Sequence, residues 1–175
     1  MSSNKKTIKN LRIANDEYTM VVSFKWYFAF VSVKKKKYIS YHKNEEEFIK
    51  KFKIIFSKLI PEISKFKYCE LIKQNHCHKI DYEDTEKIKD IVKESTNNVK
   101  KISDFDKWWD NNFGDEEFYQ LGFQGTDGIR LFGTLRFGHI FEVLFIDFHH
   151  SFYPDKNFNQ DDHDKYKYCP IIGGK

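Results

Sequence analysis

The stretch "EEFYQLGFQGTDGIRLFGTLRFGHIFEVLFIDFHHSFYP", residues 116–154, decides the fold. It divides into three largely apolar runs, separated by GTDG at 125–128 and by GH at 138–139. Gly125, Gly128 and Gly138 stand where hairpin turns need positive φ. Residues 140–146 are apolar except for Glu142, the pattern of a strand buried on both faces in mid-sheet. The expectation is a meander of three antiparallel strands.

Upstream, "SFKWYFAFVSV" (23–33) alternates Phe24, Trp26, Phe28 and Phe30 and predicts a further strand. "KKKK" (34–37) then marks a solvated turn or strand edge, with a phosphate-binding stripe as the rival reading. "NEEEFIKKFKIIFSKLI" (44–60) predicts a helix capped by Asn44, with acids 45–47 at the positive end of its dipole. Phe48, Phe52, Ile55, Phe56 and Leu59 share one face of it, and Pro61 ends it or opens the next helix. Further helices are expected over 62–75, over 83–96 with Ile88, Ile91 and Val92 inward, and over 103–113 behind a Ser103 cap. Strand, helices, then meander is an α+β order. It implies a four-stranded, mainly antiparallel sheet with helices packed on one face and the other face free for a ligand. The chain reads as a single domain over 1–175, with a polar arm at 1–17 and a polar tail at 155–175.

Bulk composition narrows the classes. Hydrophobic residues are 40% of the 175, enough for a sizeable core, and aromatics alone are 18%. A net charge of +4 permits a nucleic-acid partner without demanding one. Of 30 basic residues only Arg12, Arg130 and Arg136 are arginine, so an arginine here is worth examining for its planar fork. Three loosely spaced cysteines imply no disulfide framework and suit a reducing cytoplasm. The basic start has no apolar segment behind it, and no apolar run nears the ~18 residues of a membrane span.

Motifs for metal and cofactor chemistry are absent. Cys69, His76, Cys77 and His78 lie close together, but their spacing is not that of a zinc site, and a polar loop after a helix is the expectation. "GFQGTDG" is a hairpin, not a phosphate loop. No metal and no cofactor are expected. The meander carries what chemistry there is. Arg130 and Arg136, six residues apart, share a strand face. Alternation through the next strand puts Asp147, His149 and Ser151 on one face and His150 and Phe152 on the other. Two guanidinium groups, an imidazole and the Tyr153 phenol would suit attack of a ribose 2′-OH on its own phosphate. The competing reading is that His149 and His150 merely finish a buried strand.

Residues 129–153, "IRLFGTLRFGHIFEVLFIDFHHSFY", resemble the end of the RelE/YoeB-type bacterial toxins. The resemblance implies a ribosome-associated endoribonuclease of a toxin–antitoxin system, with the order strand–helix–helix–strand–strand–strand. It matches Arg130 to the arginine of the first meander strand, His149 to the histidine and Tyr153 to the terminal tyrosine. Ile129 stands where the family has tyrosine, and His150 where it has a second arginine.

Two functions follow as expectations. The first is a cytoplasmic, metal-independent endoribonuclease of toxin or phage-defence type, with Arg130 and Arg136 on the phosphate, His149 as general acid or base and Tyr153 assisting. His150, Asp147, Trp108 and Trp109 would bind the substrate, which is RNA or the ribosome. The second is a non-enzymatic binding module of a defence or mobile-element system. In it Trp108, Trp109 and Tyr119 would anchor RNA or a cognate protein.

Overall fold

The computed structural model describes residues 18–26, 34–35, 38–99, 102–154, 165–170 and 173–174. The polar arm and most of both the 23–33 segment and the expected tail lie outside them.

The meander forms as its turns and periodicity require. Strands β5 (Phe118–Leu121), β6 (Arg130–Arg136) and β7 (Ile140–Asp147) pair antiparallel in sequence order. Gly125, Gly128 and Gly138 have φ of 79°, 74° and 74°. The sheet is wider than expected. It has five strands in the order β1-β7-β6-β5-β4, where β1 is Val21–Ser23 and β4 is His78–Lys79. Strand β1 runs parallel to β7, so the sheet is mixed. The fold is α+β; the expected four strands are corrected to five, and three of the four pairings are antiparallel with β1·β7 the parallel one. The expected strand over 23–33 also begins earlier. Ser23 ends β1, Lys25 and Trp26 form a turn, and 27–33 lie outside the described residues.

One irregularity shapes the centre. Register slips between Phe132 and Gly133, so β7 carries an additional residue, a β-bulge. A Cβ on Gly133 would stand 2.1 Å from the Glu142 carbonyl oxygen. Only glycine allows the two backbones to approach this closely.

Lys34–Lys35 (β2) and Tyr38–Ile39 (β3) pair as a small ribbon. Tyr38 lays its ring 5.2 Å from Phe145 and donates its hydroxyl to the Ile146 carbonyl at 2.8 Å. Helix α1 (Glu45–Ile54) begins at Asn44, whose side chain accepts from the Glu47 N–H at 2.8 Å. It continues through a π-helical turn at Ile55–Leu59 into α2 (Ile60–Ile63). Pro61 has no N–H to donate and its ring crowds the preceding turn, and the widened turn before it accommodates both. The buried stripe is Lys51, Ile55, Leu59 and Ile63, whereas Phe56 is half exposed. Helix α3 is only Tyr68–Leu71. Helix α4 (Tyr82–Val99) buries Ile88, Ile91 and Val92 as expected. Helix α5 (Phe105–Phe113) is capped by Asp104, one residue after the serine expected there.

The aromatic excess is spent inside. Phe132, Phe145 and Phe152 form one cluster, with Phe132 and Phe145 stacked at 4.8 Å. Trp109, Phe113 and Phe118 form another, joined by Trp108 and Trp26. All of β5 and β6 as far as Thr134 are buried, as is β7 from Phe141 onward. The free sheet face expected from the sequence therefore does not exist along these strands. The tail is also not wholly loose. Tyr168–Cys169 (β8) pairs with Gly173–Gly174 (β9), and Tyr168 bridges to His42.

Candidate functional site

With both faces covered, polar chemistry collects at one end of the sheet, where β6 begins and β7 stops. Asp147 is paired with Arg130 in register and is the last residue of β7. Its carboxylate folds the chain after it. Oδ1 accepts from the His149 N–H at 3.1 Å and the Ser151 hydroxyl at 2.9 Å, and Oδ2 from the Phe152 N–H at 2.7 Å. This is the aspartate turn that competes with a strand ladder. It ends the strand, and the two histidines, already on opposite faces by alternation, part company.

His149 goes inward. Its Nε2–H donates to the Tyr41 carbonyl at 2.7 Å, and Nδ1 accepts from the Lys51 ammonium at 3.0 Å. Lys51 also donates to the Phe148 carbonyl at 2.8 Å, and Glu47 lies 3.6 Å away. Burial pushes the Lys51 pKa down, opposed by Glu47, Asp127 and Asp147. The neighbouring His42 is fully buried against Phe48 and Phe148, with no partner for either ring nitrogen among the described residues. Burial, and then Lys51, lower its pKa to about 4. His149 thus ties β7 to α1 inside the protein.

His150 goes outward. It sits half-buried at φ 55°, a left-handed conformation rare for residues with a Cβ. Its Cβ is 4.0 Å from where a Cβ on Gly128 would be, so it lies against the hairpin before Arg130.

Arg130 occupies the centre. It is 5% exposed, and Nη1 donates to the Ile129 carbonyl at 2.9 Å. Among the described residues Nε has no partner and the guanidinium forms no ion pair. Burial lowers its pKa, opposed at longer range by Asp147 and Cys77. The side chain lies flat on Gly122, where a Cβ would meet Cδ at 2.3 Å and Nε at 2.8 Å. The Gly122 carbonyl in turn accepts from the Cys77 thiol at 3.3 Å.

That contact brings in His76–Cys77–His78, which the sequence reading left as a polar loop. Gln120 fastens it, with Nε2 3.2 Å from the His76 carbonyl and 3.2 Å from His78 Nε2. His76 is exposed and at φ 68°. Its pKa is lowered by partial burial, then by the charges of Arg130, His150 and His78. The ring of His78 lies 6.2 Å from that of Tyr153, whose phenol is pushed up by burial and by Asp84 and so stays protonated.

Other residues singled out in the sequence lie elsewhere. Arg136 shares the β6 face but sits at its far end, about 20 Å along the strand from Arg130. There it is paired with Glu116 and Glu142 and donates to the Asn112 carbonyl at 2.9 Å. Trp109 and Tyr119 are buried and Trp108 is half-buried among rings, so these aromatics are core. Arg130, His150 and Tyr153 are brought to one end of the sheet, and Arg136, Trp108 and Trp109 are not. His76 and His78 join that end unforeseen; three imidazoles and the rare arginine were visible, but not that a two-residue strand pairs them. Among the described residues no three His, Cys, Asp or Glu side chains converge as a metal site, and no helix is long and apolar enough to cross a membrane.

No solved structure matches the chain. A protein of Ureaplasma parvum serovar 3, described as uncharacterized protein UU032, is 27% identical over 174 residues, covering 97% of this chain and 92% of that protein. The family model of the same description matches residues 23–173, which hold every residue of the site, and the chain belongs to that UU032 family.

Proposed function

We propose that the protein is a metal-independent endoribonuclease, of the kind the resemblance to RelE/YoeB-type toxins implies, and that Arg130 holds the phosphate it cleaves. The observation carrying this reading is the state of Arg130. A buried cation without a paired carboxylate is costly, and it becomes favourable once an anion arrives. A guanidinium suits phosphate through its planar fork, and in a protein with three arginines this position has one. Imidazoles near it are side chains able to serve as general acid or base. Backbone strain supports the same place. Of four non-glycine residues at positive φ among those described, His76 lies within reach of Arg130's charge, Asp127 is in the hairpin just before Arg130 and His150 lies against that hairpin, whereas Phe137 is at the far end of β6.

The test is cleavage of a mixed-sequence RNA in chelator, comparing the wild type with Arg130→Gln and Arg130→Lys. The wild type is expected to cleave. Gln should reduce the rate by about 10²-fold or more, as for loss of a charge-stabilising donor, with Lys between the two. An unchanged rate in Arg130→Gln, or no cleavage by the wild type, would sink the reading.

A further inference from the structure

We propose that Cys77 is the positioning residue of the anion site: its thiol occupies the Gly122 carbonyl and so leaves the Arg130 Nε–H unpaired for a phosphate oxygen. This rests on the reading of Arg130 as the group that holds phosphate.

One residue joins the two side chains. Strand β5 ends at Leu121, and Gly122 follows it, buried. The Cys77 thiol donates to the Gly122 carbonyl at 3.3 Å. The Arg130 arm lies on the same residue, with Nε 2.8 Å and Nη1 2.9 Å from where a Cβ on Gly122 would stand. Nη1 is spent on the Ile129 carbonyl, whereas Nε has no partner among the described residues. Arg130 is 5% exposed, and a buried N–H ordinarily takes an acceptor within its reach. The bond to the thiol keeps the Gly122 peptide turned toward Cys77, and Nε goes without it.

Cys77 is held firmly enough for this. Its N–H donates to the Gln74 carbonyl at 3.1 Å. Gln120 Nε2 ties both neighbours to β5, 3.2 Å from the His76 carbonyl and 3.2 Å from His78 Nε2. Burial pushes the thiol pKa up, so the sulfur keeps the proton that it donates. Without that donor the Gly122 carbonyl is orphaned inside the protein, at a cost that favours any new partner. The peptide then turns to the donor lying on it, the Arg130 Nε–H. The planar fork loses one of the N–H groups with which it grips an anion in two places. A packing role alone would be met by a side chain of similar size, valine included.

The test is a titration with inorganic phosphate, followed by NMR of the arginine Nε–H groups. The chain has three arginines, and the signal missing from Arg130→Lys identifies that of Arg130. In the wild type phosphate should shift this signal saturably. Cys77→Ser keeps a donor and should bind phosphate within about threefold of the wild type. Cys77→Val and Cys77→Ala remove the donor. Their Arg130 signal should stand at a hydrogen-bonded position before phosphate is added. Their affinity should fall about 10- to 100-fold, the worth of one hydrogen bond to a charged partner. Urea unfolding shows which variants are folded, and if neither Val nor Ala is, Cys77→Ser decides alone. Unchanged affinity in Val or Ala, or affinity lost in folded Ser, overturns the role of Cys77 and leaves Arg130 as the phosphate group. No response of the Arg130 signal in the wild type overturns both. A wild-type response without RNA cleavage supports the role of Cys77 and sinks only the nuclease reading.

Discussion

Gly122 has no side chain because Arg130 lies where one would be. The Cβ of an alanine would stand 2.3 Å from Arg130 Cδ, too close for any real contact. The guanidinium arm, not the backbone, must then move. Gly122→Ala is therefore expected to cost about 1–3 kcal/mol of stability, as overpacking does, and to lower RNA cleavage about as much as Arg130→Gln. Gly125 is the control. Its Cβ would meet nothing within 4 Å, and only its φ of 79° resists a side chain. Gly125→Ala should cost about 1–2 kcal/mol for the left-handed backbone and leave cleavage intact. Urea unfolding and a cleavage assay on the two variants check both halves. If both lose cleavage alike, general loosening rather than Arg130 placement is responsible. Arg130 could be picked out from the sequence, because arginine is rare in this chain. That His149 and His150 face opposite ways was legible from alternation; that His149 is the one turned inward, onto Lys51 and the Tyr41 carbonyl, was not, because both partners are distant in the chain.

Helix α1 meets the end of β7 through Lys51, His149 and His42, and that joint makes stability depend on pH. His42 has a folded pKa of about 4 against 6.5 when free. The folded state therefore binds fewer protons than the unfolded chain between these values. Stability is highest above pH 6.5 and falls as pH drops toward 4, by at most about 1.4 kcal/mol per pH unit for one proton. His42→Phe keeps the ring among Phe48 and Phe148 and removes the titration. The wild type should lose about 3 kcal/mol relative to this variant across the window, measured as the difference in unfolding free energy at pH 7 and pH 4. Parallel pH profiles would show that His42 is not the responsible group. At this scale the sequence was legible wherever the signal was local. The Asn44 cap, the inward face of α4 and the three turn glycines are set by neighbours a few residues away. Ile55 and Leu59 were legible as inward, but Lys51 was missed because a lysine reads as surface, although its i, i+4, i+8 spacing with them places it inside. Strand β4 was missed because two residues carry no period. The pairing of β1 with β7 was missed because nothing near Val21 encodes a partner so distant in the chain.

For the whole molecule, a buried charge that forms no ion pair among the described residues should be felt in global stability. If Arg130 awaits an anion, inorganic phosphate binds the native state and not the unfolded chain. It should then raise the melting temperature progressively, by RT ln(1 + [L]/Kd) in free energy. The rise in the wild type should exceed that in Arg130→Gln, where only general salt effects remain. Equal shifts in the two proteins, at matched ionic strength, would remove Arg130 as the binding group.

The parallel pair of β1 and β7 has a consequence in time. Val21 meets Ile140, its Cα partner 119 positions later (140 − 21). Closing so long a loop is entropically expensive, and pairings of this kind slow folding. During synthesis the first strand emerges and waits while the 119 positions up to its partner are made. Arg130 opens β6, His150 follows β7, and both are made long after β1. The nascent chain therefore cannot assemble the end of the sheet that holds Arg130 until more than a hundred residues beyond the first strand have left the ribosome.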